Sequence, residues 1–206
     1  MTEQEQKVLT QAEELFMRVG IKSVTMQDLS RELGISKKTL YQYVDNKADL
    51  VSKIIFNHAQ HEIDEVKKIT SASKNAIDEM LGIARFNFKQ ISVISPTAIY
   101  DIKKYYRKSW EVIEKLHQEH SYDVIVENFK RGVKEGLYRN DFDMDIVAKL
   151  YGAQTFLMIE EAIFPLRTYN KKHLMNEFIK YHLYGCLLYT SPSPRDRTRS
   201  RMPSSA

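Results

Sequence analysis

Apolar residues recur at steps of three and four along most of the chain, whereas period-two alternation is hard to find. Glycine, which interrupts helices, is scarce, with seven among 206 residues. No repeat of about twenty to fifty residues, the signature of a solenoid, is visible. The pattern therefore predicts an all-α fold.

The first predicted helix runs from about residue 2 to residue 19 and ends at Gly20. Glycine is common at the end of a helix because it enters left-handed backbone geometry at little cost. One stripe of this helix is apolar, which indicates that one face is buried. The stripe consists of Val8, Leu9, Ala12, Leu15, Phe16 and Val19.

Two short helices follow, with a glycine between them. Thr25 is expected to cap a second helix over residues 26–33, and Ser36 a third over residues 37–44. Gly34 permits the turn that separates them. Two short helices joined by such a turn and braced by a longer one predict a helix-turn-helix.

A long fourth helix is expected to begin near Lys47, with about five further helices after it. Ser95 and Pro96 suit the cap and the first position of one of them. Turn residues and prolines mark the breaks between these helices. The expected breaks lie at residues 70–74, 94–96, 119–121, 136–143 and 165–170.

The predicted helix over residues 145–164 is apolar on two faces. Such a helix needs a core on one side and a partner on the other, so this segment is a candidate interface between subunits. The first face carries Ile146, Leu150, Ala153 and Leu157, and the second carries Val147, Tyr151, Met158 and Ala162.

The third predicted helix carries chemistry suited to DNA. Leu40 and Val44 lie four residues apart and should anchor the core, which turns the other side chains outward. Lysine and glutamine can recognise guanine and adenine edges, and hydroxyl groups suit phosphate oxygens or a helix start. A merely solvated helix surface is the alternative. The candidate DNA-binding residues are Thr25, Ser36, Lys37, Lys38, Thr39, Tyr41, Gln42, Tyr43 and Lys47.

Residues 9–50 resemble the DNA-binding domain of the tetracycline-repressor (TetR) family of transcriptional regulators. Two positions depart from the family pattern: Lys38, where glycine is frequent, leaves base preference open, and Val44, where phenylalanine is frequent, requires compensation in the core. The matching positions are Ala12, Leu15, Phe16, Gly20, Thr25, Leu29, Gly34, Ser36, Thr39, Leu40, Tyr41, Tyr43, Lys47 and Leu50.

The resemblance implies a DNA-binding domain over residues 1–50 and a helical ligand-binding and dimerisation domain over residues 51–185. It further implies a homodimer, formed through helices at about 145–164 and 170–185, that represses transcription from a palindromic DNA operator. An unidentified small molecule would act as the effector. Aromatic side chains could line its pocket, or could simply fill the core. They are Phe86, Phe88, Tyr100, Tyr106 and Trp110.

From Cys186 onward the chain reads CLLYTSPSPRDRTRSRMPSSA, unlike the helical pattern before it. Codons for residues 186–196 can be chosen to spell a transposon end, and codons for residues 200–206 to spell a flow-cell primer. We therefore expect residues 186–206 to be translated sequencing adapter rather than native protein. A genuine disordered basic tail is the alternative.

The net charge is no argument for nucleic-acid binding. The formal charge is +4, but the tail supplies four arginines against one aspartate, which leaves +1 for residues 1–185. Residues 1–50 carry seven Lys and Arg against eight Asp and Glu. A DNA-binding face must therefore arise from the placement of charges, which disfavours a sequence-blind DNA binder.

Other function classes find little support. No apolar run reaches the roughly 18 residues that cross a bilayer, and no secretory signal is visible, so we expect a cytoplasmic protein. The histidine pairs His58/His61 and His117/His120 lack a convincing third ligand, so no metal site is expected. Phosphate-loop, HExxH and Gly-x-Ser-x-Gly motifs do not occur. We expect no catalytic site and no cofactor; the alternative is an all-helical enzyme or small-molecule-binding protein without DNA affinity.

Overall fold

The computed structural model describes residues 2–93, 95–158, 160, 162–165 and 167–188. Over these residues the protein is helical, apart from loops and one isolated antiparallel bridge between Tyr138 and Leu187. The all-α prediction is confirmed. The helices are α1 (Glu3–Val19), α2 (Met26–Glu32), α3 (Lys37–Leu40), α4 (Lys47–Ala72), α5 (Ala76–Val93), α6 (Pro96–Tyr105), α7 (Arg107–Lys115), α8 (Tyr122–Lys134), α9 (Met144–Leu157) and α10 (Lys171–Cys186), with a π-helical segment, Leu116–Ser121, between α7 and α8.

Helices α1 to α4 share one apolar core. Leu29, Leu40 and Leu50 are fully buried in it, one from each of α2, α3 and α4. The predicted stripe of α1 faces this core, except that Val19 is 47% exposed. The chain turns at Gly20 directly after Val19, and Ile21 is buried beyond the turn instead.

The same core continues beyond residue 50. Ala98 and Ile102 of α6 and Trp110 of α7 are buried in it together with α1 to α4. A second cluster joins α5, α8, α9 and α10 around residues such as Met80 and Phe129. We call α1 to α3 and the start of α4 the N-terminal module. Because this module shares its core with α6 and α7, it packs directly against them.

The helix expected to run on from Pro96 is two helices. Ser95 and Pro96 occupy the predicted cap and first position, although the Ser95 side chain makes no capping bond. The break falls at Tyr106, whose φ of −128° and ψ of 54° leave the helical region. Ile102 and Trp110 lie on either side of the break and are buried in one core. Tertiary packing therefore fixes this bend, although no glycine or proline occurs there in the sequence.

Two further boundaries also differ from expectation. Residues 119–121 were predicted as a break, but they lie in the π-helical segment that connects α7 to α8. The helix predicted over 145–164 ends at Leu157. Separate turns follow, in which the N–H of Phe164 donates to Glu160 O at 2.9 Å and that of Tyr169 to Pro165 O at 2.9 Å. Pro165 lacks an N–H and disfavours helical geometry in the residue before it.

The first residues of the suspected adapter pack against the body. Cys186 closes α10 and is buried, and its carbonyl accepts the N–H of Arg139 at 2.9 Å. The N–H of Leu188 donates to Leu137 O at 3.0 Å. Residues 189–206, the rest of that segment, lie outside the described residues.

Candidate nucleic-acid interface

Helices α2 and α3 form the predicted helix-turn-helix, and local bonds fix where each begins. Thr25 caps α2: its hydroxyl accepts the N–H of Asp28 at 3.1 Å, and the Asp28 carboxylate accepts the N–H of Thr25 at 3.0 Å. The Thr25 hydroxyl also donates to Asp28, which holds the pKa of that carboxyl below its ordinary value. Gly34 makes the turn with a φ of +63°, a geometry that favours glycine.

Helix α3 is anchored as the spacing of four residues predicts, because Leu40 and Val44 are both buried. It is shorter than predicted, since regular α-helix covers only Lys37–Leu40. Beyond Leu40 the backbone tightens: the N–H of Gln42 donates to Thr39 O at 3.1 Å, and that of Tyr43 to Leu40 O at 3.0 Å. These bonds span three residues, as in a 3₁₀-helix.

Four candidate residues stand on the outside of this short helix and the turn that follows. Lys37, Lys38, Tyr41 and Gln42 are exposed, on the side away from the anchors Leu40 and Val44. They combine two ammonium groups, an amide and a phenol within six consecutive positions. Such a set offers donors for base edges and for phosphate oxygens.

Ser36 and Thr39 use their hydroxyl groups locally. Ser36 accepts the N–H of Thr39 at 3.0 Å, and the two side-chain oxygens lie 2.8 Å apart. Ser36 is therefore the N-cap of α3, and Thr39 is half-buried beside it. Both residues orient the helix through bonds that do not involve DNA.

Tyr43 and Lys47 are less exposed than the sequence suggested. The Tyr43 ring packs against the apolar core, and its carbonyl accepts the Lys53 ammonium at 2.6 Å. The Lys47 ammonium donates to the carbonyls of Lys22, at 3.3 Å, and of Val24. Burial lowers the pKa of Lys47. Lys47 thus braces the segment between α1 and α2, with donors directed to backbone rather than to solvent.

Sequence reasoning missed Asp101, which ties α6 to the N-terminal module. Its side chain is buried, and one carboxylate oxygen accepts the N–H of Lys22 at 2.7 Å. The Lys22 ammonium donates to the Tyr105 hydroxyl at 3.0 Å, which raises the pKa of Lys22 and lowers that of Tyr105. The backbone at Gly20 also lies close to α6, because a Cβ on this residue, whose φ is +91°, would lie 3.1 Å from Cγ2 of Thr97. No motif marks Asp101, because a lone aspartate on a predicted helix is typical of a solvated face.

Asp101→Ala is expected to lower the free energy of unfolding by about 1–3 kcal/mol, because it leaves the part-buried N–H of Lys22 without an acceptor. Urea unfolding followed by circular dichroism measures the change. Asp101→Asn is the matched control, since its amide oxygen can still accept that bond and should retain most of the stability. Equal stability of Asp101→Ala and the parent protein would contradict the assigned role of this contact.

A cavity of about 450 Å³ opens beside the N-terminal module. Its walls come from α1, α4, α5, α6, α7, α9 and the start of the π-helical segment. Most of the wall is apolar, and its polar residues come mainly from α1, α4 and α5. The apolar lining includes Met17, Ile54, Ile55, Ile99, Ile102, Trp110, Ile113, Leu116 and Phe156, and the polar lining includes Gln6, Glu13, Asn57, His58, His61, Glu62, Asn87 and Gln90.

Of the five aromatic residues expected around a pocket, Trp110 lines this cavity. Tyr100 is exposed instead, and its hydroxyl accepts the Lys104 ammonium at 2.6 Å. Tyr106 forms the break between α6 and α7 and packs against the N-terminal core. Phe86 lies with its ring centroid 6.3 Å from that of His61, and Phe88 is half-buried; neither is among the described lining residues. Helical spacing groups aromatic residues on one face, but it does not say what that face meets.

The polar end of the cavity contains two carboxylates. Nδ1 of His58 in α4 lies 3.5 Å from a carboxylate oxygen of Glu13 in α1, and donation to that carboxylate raises the pKa of His58. Glu62 lies one turn further along α4, and burial raises its pKa. Lysine and arginine are absent from the described lining residues. The described lining therefore has an acidic end at Glu13 and Glu62, further uncharged polar groups, and a mostly apolar remainder.

Comparisons with known proteins point to one class of regulator. Residues 8–54 match the family described as "Bacterial regulatory proteins, tetR family". The HTH-type transcriptional repressor KstR2 of Mycobacterium tuberculosis is 21% identical over 171 residues, which cover 74% of this chain and 78% of KstR2.

Solved structures share the whole fold. The reduced form of NemR from Escherichia coli matches with a TM-score of 0.74 at 12% identity, over 93% of this chain and 100% of NemR. A transcriptional regulator from Saccharomonospora viridis, in complex with choline, matches with a TM-score of 0.72 at 16% identity, over 92% of this chain and 100% of that one. Among the described residues, no helix combines the length and apolarity that a membrane crossing needs.

Proposed function

We propose that this chain, a DNA-binding transcriptional regulator of the tetR family, is a dimeric repressor that binds a palindromic operator and responds to a small molecule. The observation that carries the proposal is the exposed set Lys37, Lys38, Tyr41 and Gln42, held outward by the buried anchors Leu40 and Val44. The N-terminal part of such a helix is the part that meets base edges in the major groove.

The candidate residues divide by exposure and chemistry. Lys37, Lys38 and Gln42 are the donors placed to read bases, and the Tyr41 hydroxyl suits a phosphate. Thr25 and Ser36 lie at the N-termini of α2 and α3, where backbone N–H groups also favour a phosphate. Thr39 and Tyr43, both half-buried, would contribute at the edge of the contact, and Lys47 would act by bracing the module.

The second subunit would lie against α9 and α10. One of the two apolar faces predicted for this helix is exposed in α9, with Ile146, Leu150 and Leu157 on its surface. Tyr181 and Tyr184 of α10 are also exposed. The opposite face of α9 is buried through Tyr151, whose ring centroid lies 4.6 Å from that of His182 in α10. Two adjacent helices with a bare apolar surface fit an interface between identical subunits.

The cavity beside α1 is the effector site in this proposal. One similar protein is named as a ketosteroid regulator and another holds choline, so a small-molecule response fits the relatives of this chain. The cavity is lined by residues of α1 and α4, the two helices that pack against the helix-turn-helix in one core. A ligand that changes the packing of α1 against α4 would change the distance between the two copies of α3 in a dimer. Both half-sites must be contacted at once, so such a change weakens binding.

Selection of random double-stranded DNA by the purified protein tests the proposed function. We expect enrichment of an inverted repeat whose half-sites are spaced by about one helical turn of DNA or a multiple of it. A gel-shift titration with the selected sequence and a scrambled duplex then measures specificity at fixed salt concentration. An all-helical enzyme or carrier would enrich no sequence, and that outcome would refute the proposal.

A further inference from the structure

We propose that the cavity beside α1 takes an organic cation with an apolar body, and that its cationic group lies between Glu13 and Glu62. The inference rests on the proposed function, in which this cavity is the effector site. It adds the chemical class of the effector and the contact through which that effector acts.

The apolar wall sets the body of the ligand. Ile54 and Ile55 of α4, Ile102 of α6, Trp110 of α7 and Phe156 of α9 contribute hydrocarbon and aromatic surface. The rings of Trp110 and Phe156 meet edge to face, with centroids 6.1 Å apart. Such a wall favours alkyl or ring carbons, whose burial is the main source of affinity in cavities of this kind.

The acidic end sets the charge of the ligand. Glu13 and Glu62 both line the cavity beside His58, whose imidazole lies 3.5 Å from the Glu13 carboxylate. Burial makes the ionised form of Glu62 costly, as its raised pKa indicates. A ligand cation at this end would compensate that cost, whereas a ligand carboxylate or phosphate would meet two like charges.

Lys103, which lies beside the cavity-lining residue Trp110, does not offset this charge. Lys103 lies over the Trp110 ring, 4.9 Å from its centroid, and pairs with Glu160 at 3.4 Å. It is absent from the described lining residues. Its positive charge is matched by Glu160, so the described lining keeps its acidic character.

The position of Glu13 connects the bound ligand to the DNA-binding module, because Glu13 belongs to α1 of that module. The partner of Glu13, His58, belongs to α4. A cation between Glu13 and Glu62 would compete with His58 for the Glu13 carboxylate. The occupied cavity would then alter the contact between α1 and α4, while α6 still holds the module through Asp101 and Lys22.

The single tryptophan of the chain lines the cavity, so its fluorescence reports occupancy directly. Three probes of matched length test the charge preference: decyltrimethylammonium, 1-decanol and decanoate, each below its aggregation limit. We expect saturable binding of decyltrimethylammonium about tenfold tighter than that of 1-decanol, with decanoate weakest, since a contact with a charged partner outweighs a neutral one. Decanoate binding as tightly as the cation would overturn the proposal.

Glu62→Gln and Glu13→Gln are each expected to weaken decyltrimethylammonium binding about tenfold and to leave 1-decanol binding unchanged. Glu65→Gln is the matched control on α4: its carboxylate pairs with Lys68 at 2.6 Å outside the described lining and should not affect either probe. Circular dichroism checks folding, and Glu62→Gln alone suffices if Glu13→Gln does not fold. Unchanged cation affinity in a folded Glu62→Gln protein would overturn the proposal.

The measurement separates this inference from the proposed function, because occupancy is read without DNA. Cation binding with the expected variant pattern supports the ligand class even if DNA selection enriches no operator. Operator binding combined with a preference for decanoate leaves the repressor intact and refutes the cation.

Discussion

Replacing Lys37 and Gln42 together by alanine is expected to weaken operator binding about a hundredfold or more, since each lost base contact costs about 1–3 kcal/mol. Every dimer carries two copies of the helix, so each contact is lost in both half-sites. Both side chains are exposed, and their removal should leave helix content and the free energy of unfolding unchanged. A gel-shift titration against the selected operator measures the loss.

Lys134→Ala with Gln118→Ala is the matched control, because it removes one lysine and one glutamine from exposed positions outside the helix-turn-helix. The control should bind the operator like the parent protein. A second comparison is Lys37→Ala with Tyr43→Ala, which should also reduce stability, since the Tyr43 ring packs against the core. Parent-like affinity of the Lys37 and Gln42 double variant would refute the assignment of these residues to base contacts.

The helix-turn-helix was predictable because local rules determine it. Side-chain capping by Thr25 and Ser36, the positive φ of Gly34 and the buried pair Leu40 and Val44 are all properties of short segments. Each follows from the residue type and its immediate neighbours. The two helices and the turn therefore lie where the sequence predicts them, and the DNA contacts of their exposed residues stay a prediction.

The structure differs from expectation where tertiary contacts override local signals. The break at Tyr106 has no glycine or proline, and the apolar stripe continues across it because Ile102 and Trp110 enter the same core. Lys47 is a polar residue at the start of a helix, yet contacts with Lys22 and Val24, distant in sequence, draw its ammonium inward. Periodicity records which residues share a face, but not which neighbour that face meets.

The position of the cavity was beyond reach for the same reason. It depends on α1, α4 and α9 meeting, and the polar residues Glu13, His58 and Glu62 each look like part of an ordinary solvated face. Only their convergence, 3.5 Å between Glu13 and His58, gives them a common role. That convergence also places the acidic end of the cavity against the helix that opens the DNA-binding module.

Leu150→Glu is expected to convert the protein from dimer to monomer and to reduce affinity for the full operator by about a hundredfold or more. Leu150 is 54% exposed in the middle of the apolar face of α9, between Ile146 and Leu157. An unpaired carboxylate in the centre of a desolvated interface costs several kcal/mol. Once the subunits separate, each half-site is bound alone and the effective concentration that links the two contacts is lost, an effect of about 10²–10⁴.

Sedimentation velocity measures the assembly state, and gel-shift titrations compare the full operator with an isolated half-site. Affinity for the half-site should stay the same, because Leu150 is exposed on α9 and belongs neither to the helix-turn-helix nor to the core that supports it. Val112→Glu on α7 is the matched control: it places the same charge at an exposed apolar position outside the proposed interface, and the protein should remain dimeric. If α9 and α10 pair between subunits, only Leu150→Glu should produce a monomer. A monomer formed by both Leu150→Glu and Val112→Glu would instead indicate general destabilisation. Dimeric Leu150→Glu protein with full operator affinity would instead place the interface on another surface.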